Sequence, residues 1–197
     1  VLKNVNLNIN EGQFVLLQGA SGSGKSTLCS ILNKYITDYS GDILFGTMNY
    51  KDLSIKTIRD NIVYVGQNEN IFTGSIKENI TFGHEVSDLE FKKVCNICKV
   101  DDIAYKKTFR YESLIGSDEG NISGGEKQRI ILARAVLKDF NVLILDEALS
   151  EVDIKLELEI LKNIRDNYKD KTIIYISHKK YPNVFDKVIS MEAVWTI

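Results

Sequence analysis

Residues 19–26 read GASGSGKS, which fits the pattern GxxxxGKS, and no other stretch constrains the fold of this chain as strongly. The motif follows a continuous apolar run at residues 14–17, and after it Leu28, Ile31 and Leu32 recur at helical spacing. The order is therefore buried strand, glycine loop, helix. Glycines let the backbone wrap around a polyphosphate with amide N–H groups pointing inward, and a helix N-terminus adds partial positive charge. Lys25 is then placed for the β- and γ-phosphates, and the Ser26 hydroxyl for a Mg2+ ion. Gly19, Ala20, Ser21, Gly22, Ser23, Gly24 and Thr27 complete the candidate nucleotide cradle.

The rest of the chain continues the alternation of strand and helix. Residues 5–9 alternate apolar and polar side chains and predict a first strand, closed by a turn at 10–12. Short strands and turns are expected over 41–65, and a mostly helical stretch from 76 to about 114, including a helix over 89–100. A helix rich in Arg and Lys follows Ser123, then an apolar strand at 142–145, a helix over about 154–168 and a strand at 172–176. That succession predicts an α/β fold with a mainly parallel sheet covered by helices. The chain has 197 residues, enough for one domain to bury its core without disulfides. Lys+Arg 25 against Asp+Glu 27 gives a net charge of -2, which does not point to a nucleic-acid partner. No stretch approaches the roughly 18 consecutive apolar residues of a membrane span, so a membrane role would come through a partner. The chain opens at Val1 without an initiator Met and is expected to be part of a longer polypeptide.

Three cysteines fit a reduced compartment. Cys95 and Cys98 form a CxxC, yet with Phe91 and Val94 they recur on one helical stripe, and no second CxxC or His pair lies nearby. Core packing is the better reading. His84, beside Gly83, reads as a solvated loop side chain.

At residues 142–147 an apolar strand ends in two acids, Asp146 and Glu147. Paired carboxylates at the tip of a buried strand, combined with the glycine loop, place Asp146 to hold Mg2+ through water. Glu147 is then placed to orient and deprotonate an attacking water. A glutamate at that second position argues against a copy that cannot hydrolyse its nucleotide.

Residues 121–129 read NISGGEKQR. The segment resembles the LSGGQ signature of ATP-binding cassette (ABC) proteins, with Ile122 for Leu and Glu126 for Gln, and the IILARA that follows is similar to that family's continuation. The resemblance runs from residue 2 to about residue 188. It implies a P-loop NTPase core of RecA type with an antiparallel β subdomain, over about 1–75 and 121–197, and an inserted α-helical subdomain over about 76–120. Ser123, Gly124, Gly125 and Glu126 would form a second anion-binding helix N-terminus. In the family this element caps the γ-phosphate of ATP bound to the opposite subunit, so a head-to-tail dimer sandwiching two ATP molecules is implied. Three further matches fall in family order. Gln67 resembles the glutamine that links Mg2+ and the attacking water to the helical subdomain. Asp153, in the SEVD that follows Glu147, resembles a residue that passes information across the dimer. His178 resembles the switch histidine on the γ-phosphate. Taken alone, a surface Gln or a lone strand-end His is ordinarily packed or solvated; the ordered set of motifs sets these two apart.

Residues 71–80, IFTGSIKENI, are similar to a stretch of exporters whose cassette is fused behind six membrane helices. Peptide and bacteriocin exporters share this look and the Ile115-Gly116 approach to the signature. The resemblance therefore implies an exporter ATPase using ATP and Mg2+ at the cytoplasmic face of a membrane, with a transmembrane partner and a second, identical cassette. The alternative is a soluble ABC-type ATPase, translation-associated or DNA-maintaining. The compact link between Gly24 and Ser123 weighs against the second of these, since it has no sustained heptads. The family's adenine-stacking aromatic residue falls upstream of a segment like LKNV at 2–5, ahead of Val1, and the end of the chain from Met191 does not resemble the family.

Overall fold

The computed structural model describes residues 2–3, 5–116, 122–179, 181 and 183–191. The apolar run after Gln13 forms β1 (Phe14–Gly19), followed by α1 (Lys25–Leu32), β2 (Leu44–Phe45), β3 (Met48–Asn49), α2 (Ile55–Asn61) and β4 (Ile62–Val65). Next come β5 (Gly74–Ser75), α3 (Ile76–Thr81), α4 (Asp88–Ile97), α5 (Asp101–Ala104) and β6 (Leu114–Ile115). The chain continues through α6 (Gly124–Val136), β7 (Val142–Asp146), α7 (Ile154–Asn167), β8 (Thr172–Ile176) and β9 (Lys187–Met191).

Five strands pair in the order β4-β7-β8-β1-β9, every pair parallel. The central strands are apolar throughout because both faces are covered. Leu16, Val65, Leu145 and Tyr175 face one core with α6 and α7, whereas Leu17, Ile144 and Ile176 face another with Cys29 of α1. Parallel strands bring their carboxyl ends to one edge, and the loops there carry residues 19–26, Gln67, Glu147 and His178.

Residues 5–9 do not form the expected strand. A ladder needs a free neighbour, and both edges of β1 are taken by β8 and β9. Val5 and Leu7 remain exposed, while Ile9 packs against the core on the α1 side. The 41–65 region holds an antiparallel β2–β3 pair but also a helix, α2, capped by Ser54, whose hydroxyl accepts from the Thr57 N–H. Residues 62–65 join the main sheet as an edge strand beside β7.

The helical stretch begins at reciprocal caps: Ser75 with Glu78 on α3, and Ser87 with Glu90 on α4. Its ends meet where β5 pairs antiparallel with β6. Phe91, Val94, Cys95 and Ile103 share one continuous core with the sheet residues Leu16 and Leu145. Cys95 and Cys98 lie inside that core, and burial pushes the Cys95 thiol up to about 12. His84 is exposed. Asn121, the expected boundary near 120, and the unusual end after Met191 lie outside the described residues.

Candidate active site

The glycine loop closes tightly against its own fold. At Gly19 a Cβ would lie 2.5 Å from Ser23 Oγ and 2.6 Å from the Met191 carbonyl. Gly24, with φ +94°, turns the chain into α1 through a left-handed conformation that side chains avoid. No side chain caps α1, which leaves its first N–H groups without a side-chain partner where Lys25, Ser26 and Thr27 line the cleft. Lys25 Nζ donates to the carbonyls of Gly19 at 2.7 Å and Ala20 at 2.9 Å, with Ser23 Oγ at 3.4 Å.

Across a cleft of about 350 Å3 from this loop stand Gln67, Asp146, Glu147 and His178. The loop itself lines the cleft with Gly19, Ser21, Gly22, Gly24, Lys25, Ser26 and Thr27, while Ser23 is buried beneath it and Ala20 contributes its carbonyl to Lys25. Asp146 is buried at the end of β7 and accepts from the Tyr64 hydroxyl at 3.1 Å. Burial raises its carboxyl above the usual range, and the neighbouring Glu147 charge adds to this. The Tyr64 bond and the Lys25 charge act the other way.

Glu147 adopts φ +52°, a left-handed conformation that costs a side-chain-bearing residue roughly 1–2 kcal/mol. Its N–H donates to the Ile176 carbonyl at 3.0 Å, so β8 holds the strained turn in place. The Glu147 carboxylate accepts from Gln67 Nε2 and stands 3.5 Å from His178 Nδ1. Two residues from two other loops thus converge on the Glu147 carboxylate.

Because Asp146 pays for burial in its charged form, Asp146→Asn should stabilise the domain when neither nucleotide nor Mg2+ is present, since the amide still accepts from Tyr64. A gain of about 1 kcal/mol would raise the melting temperature by roughly 2–4 °C at this size. An unchanged or lower midpoint by calorimetry would contradict it.

Ser123, Gly124, Gly125, Glu126 and Asp153 do not line this cleft. Ser123 caps α6: its hydroxyl accepts from the Glu126 N–H at 3.3 Å, and the Glu126 carboxylate accepts from the Ser123 N–H at 3.0 Å. Glu126, where the signature pattern has Gln, is therefore the far half of a capping box. A Cβ at Gly124 would lie 1.8 Å from a carboxylate oxygen of Glu151, and one at Gly125 would lie 2.8 Å from the Glu151 carbonyl. Gln128 joins the two segments: it donates to Ser150 Oγ at 3.0 Å and accepts from the Glu151 N–H at 2.9 Å. Asp153 caps α7 by accepting from the Lys155 N–H. Sequence reasoning missed Tyr64 and Gln128, which carry no motif of their own.

A glycine loop on a helix N-terminus, facing a strand-end pair of acids at the carboxyl edge of a parallel sheet, defines a P-loop nucleoside triphosphatase. The model of the ABC transporter family matches residues 2–150. The chain belongs to that family and is its ATP-binding domain. It is 40% identical over 181 residues to the lactococcin-G-processing and transport ATP-binding protein LagD of Lactococcus lactis subsp. lactis, covering 90% of this chain and 26% of that protein. An export ATP-binding/permease protein of Rickettsia bellii is 39% identical over 179 residues, 91% of this chain and 31% of that one. A bacterial Atm1-family ABC exporter solved with ATP bound superposes with a TM-score of 0.84 at 26% identity, over 93% of this chain and 33% of that one. The chain thus spans about a quarter to a third of the length of the relatives it matches. These matches favour the exporter reading over the soluble alternative.

Proposed function

We propose that this domain binds and hydrolyses ATP with Mg2+ as half of a head-to-tail dimer, and that hydrolysis drives export of a peptide through a transmembrane partner. The observation that carries the dimer is the division of the motifs. Lys25, Ser26, Gln67, Asp146, Glu147 and His178 share one cleft, whereas Ser123 to Glu126 do not line it. One chain supplies half of each site.

Lys25 exchanges its loop carbonyls for the β- and γ-phosphates. Ser26 and Asp146, with Gln67, offer the hard oxygen donors that Mg2+ prefers, and the ion there would offset phosphate charge. Glu147 orients a water and takes its proton, with Gln67 and His178 fixing the carboxylate and His178 reaching the γ-phosphate. Ser123, Gly124, Gly125 and Glu126 serve the other subunit's nucleotide, and Asp153 sits beside that junction. The division into a core with its β subdomain over about 1–75 and 121–197, and a helical subdomain over about 76–120, belongs to the same reading.

Among the described residues no helix is long and apolar enough to cross a membrane. The Rickettsia bellii relative is named for both ATP binding and a permease, which supports a transmembrane partner and a place at the cytoplasmic face of a membrane. The name of LagD supports a bacteriocin-class peptide as cargo. In sealed vesicles carrying the intact protein, a labelled peptide of that class should accumulate only with ATP and Mg2+, and chelation should stop both transport and phosphate release. Hydrolysis that survives chelation would remove the assigned metal set. Hydrolysis without peptide movement would remove the cargo.

A further inference from the structure

Glu157 is a fully buried carboxylate with no part in the chemistry described above. It lies on α7 in line with Ile160, Leu161 and Ile164, all fully buried, so a charge occupies the apolar stripe of an amphipathic helix. A buried carboxylate is costly unless it is paired and hydrogen-bonded. Here it is: Oε1 accepts from the hydroxyls of Tyr175 and Tyr181, and Oε2 accepts from Lys179 Nζ at 2.7 Å. Burial, and then the Glu157 carboxylate itself, push both tyrosine hydroxyls well above their ordinary range, so both stay protonated donors. Rings of Tyr175, Tyr181 and Phe185 pack together around the cluster.

The partners of Glu157 flank His178 along the chain. Ser177 precedes it, and the Ser177 hydroxyl lies 2.9 Å from Tyr181 OH. Lys179 follows it, donating its N–H to Ser177 Oγ at 3.2 Å and accepting at its carbonyl from Gln18 Nε2 at 2.7 Å. The same Lys179 ammonium lies 3.4 Å from the Ser150 carbonyl, and the Glu157 N–H donates to the Asp153 carbonyl at 2.8 Å. His178 itself is exposed, and its ring stands 3.5 Å from the Glu147 carboxylate. The contacts that hold this strand end are made by the residues on either side of it, Ser177 and Lys179.

We infer that Glu157 is a positioning residue for ATP hydrolysis: through Lys179, Tyr175 and Tyr181 it fixes the strand end that presents His178 to the cleft, and ties it to the 150–153 turn that begins α7. The inference rests on the proposed role of His178. Its consequence is that the histidine and the turn carrying Asp153 shift as one piece.

The test is a double-mutant cycle on the intact protein, reading kcat and KM for Mg–ATP together with the melting temperature. Glu157→Gln keeps the shape but cannot accept fully from Lys179. It should lower kcat by about tenfold or more, a scale that slight misplacement of a catalytic group produces, and leave KM within about twofold. Added to His178→Ala, it should lower kcat by less than about twofold further, because the group it positions is gone. Tyr181→Phe, which removes one donor and keeps the ring, should give a smaller loss that also disappears with His178→Ala, and it serves where Glu157→Gln does not fold. Equal losses with and without His178, or no loss in kcat, would overturn the inference while His178→Ala alone remains slow. A normal rate for His178→Ala alone would overturn the histidine's own role and the inference with it.

Discussion

Glu147→Gln should lower steady-state ATP hydrolysis by about 10²–10⁴-fold, the range expected on losing a general base, and leave ATP binding nearly unchanged. The separation follows from which elements make each contact. The phosphate loop, Lys25 and Ser26 sit on β1 and α1, and none of their hydrogen bonds involves Glu147. The amide keeps an oxygen that can accept from Gln67 Nε2, so the link between the two loops survives. It cannot take a proton from water at neutral pH. With hydrolysis blocked, nucleotide should hold two domains together, and size-exclusion chromatography with ATP should move the variant from monomer to dimer. The left-handed backbone at Glu147 is unaffected, since Gln carries the same steric cost. A variant that hydrolyses like the wild type would remove Glu147 from its assigned role.

The cleft was largely legible in the sequence, and the reason is geometric. Each of its loops follows an apolar strand, at 14–17, 62–65, 142–145 and 172–176, and parallel strands deliver the residues just after them to one edge. Gly19 to Thr27, Gln67, Asp146, Glu147 and His178 therefore had to meet once the sheet was parallel. What was not legible depends on tertiary context. Alternation at residues 5–9 looks like a strand, but pairing is decided by a free edge that sequence does not display. Helix α2 was hidden by its length; only Ser54 and the buried Ile58 marked it. Two signals were present and unread. The S-x-x-E at 123–126 is a capping box repeated at 75–78 and 87–90, and it accounts for Glu126 without any nucleotide. Glu157 breaks an apolar stripe at 157, 160, 161 and 164, and a charge on such a stripe marks a buried network.

Ser123→Arg should abolish hydrolysis in a homodimer while leaving nucleotide binding to the monomer within about twofold. Ser123 is exposed and does not line its own chain's cleft, so a bulky cation there leaves that chain's phosphate loop intact and disables only the site that its signature completes on a second subunit. Gly125 would be a poor choice for the same purpose, because a Cβ there lies 2.8 Å from the Glu151 backbone carbonyl of the same chain and confounds packing with assembly. Loss of the Ser123 cap on α6 costs about 1 kcal/mol, a sum a domain of ordinary stability tolerates. The decisive step is to mix this variant with Lys25→Ala, which is inactive for a different reason. In a head-to-tail dimer of one copy of each, the Ser123→Arg chain supplies an intact phosphate loop and the Lys25→Ala chain an intact signature. One of the two sites is therefore complete. Two inactive proteins should then regain hydrolysis on mixing, up to about a quarter of the wild-type rate if half the dimers are mixed and sites act independently. If the sites fire only in concert, trapping of nucleotide at that single complete site, read with a slowly hydrolysed analogue, reports the same geometry. No recovery by either measure, or loss of monomer binding in Ser123→Arg alone, would mean that each chain builds its site without a partner.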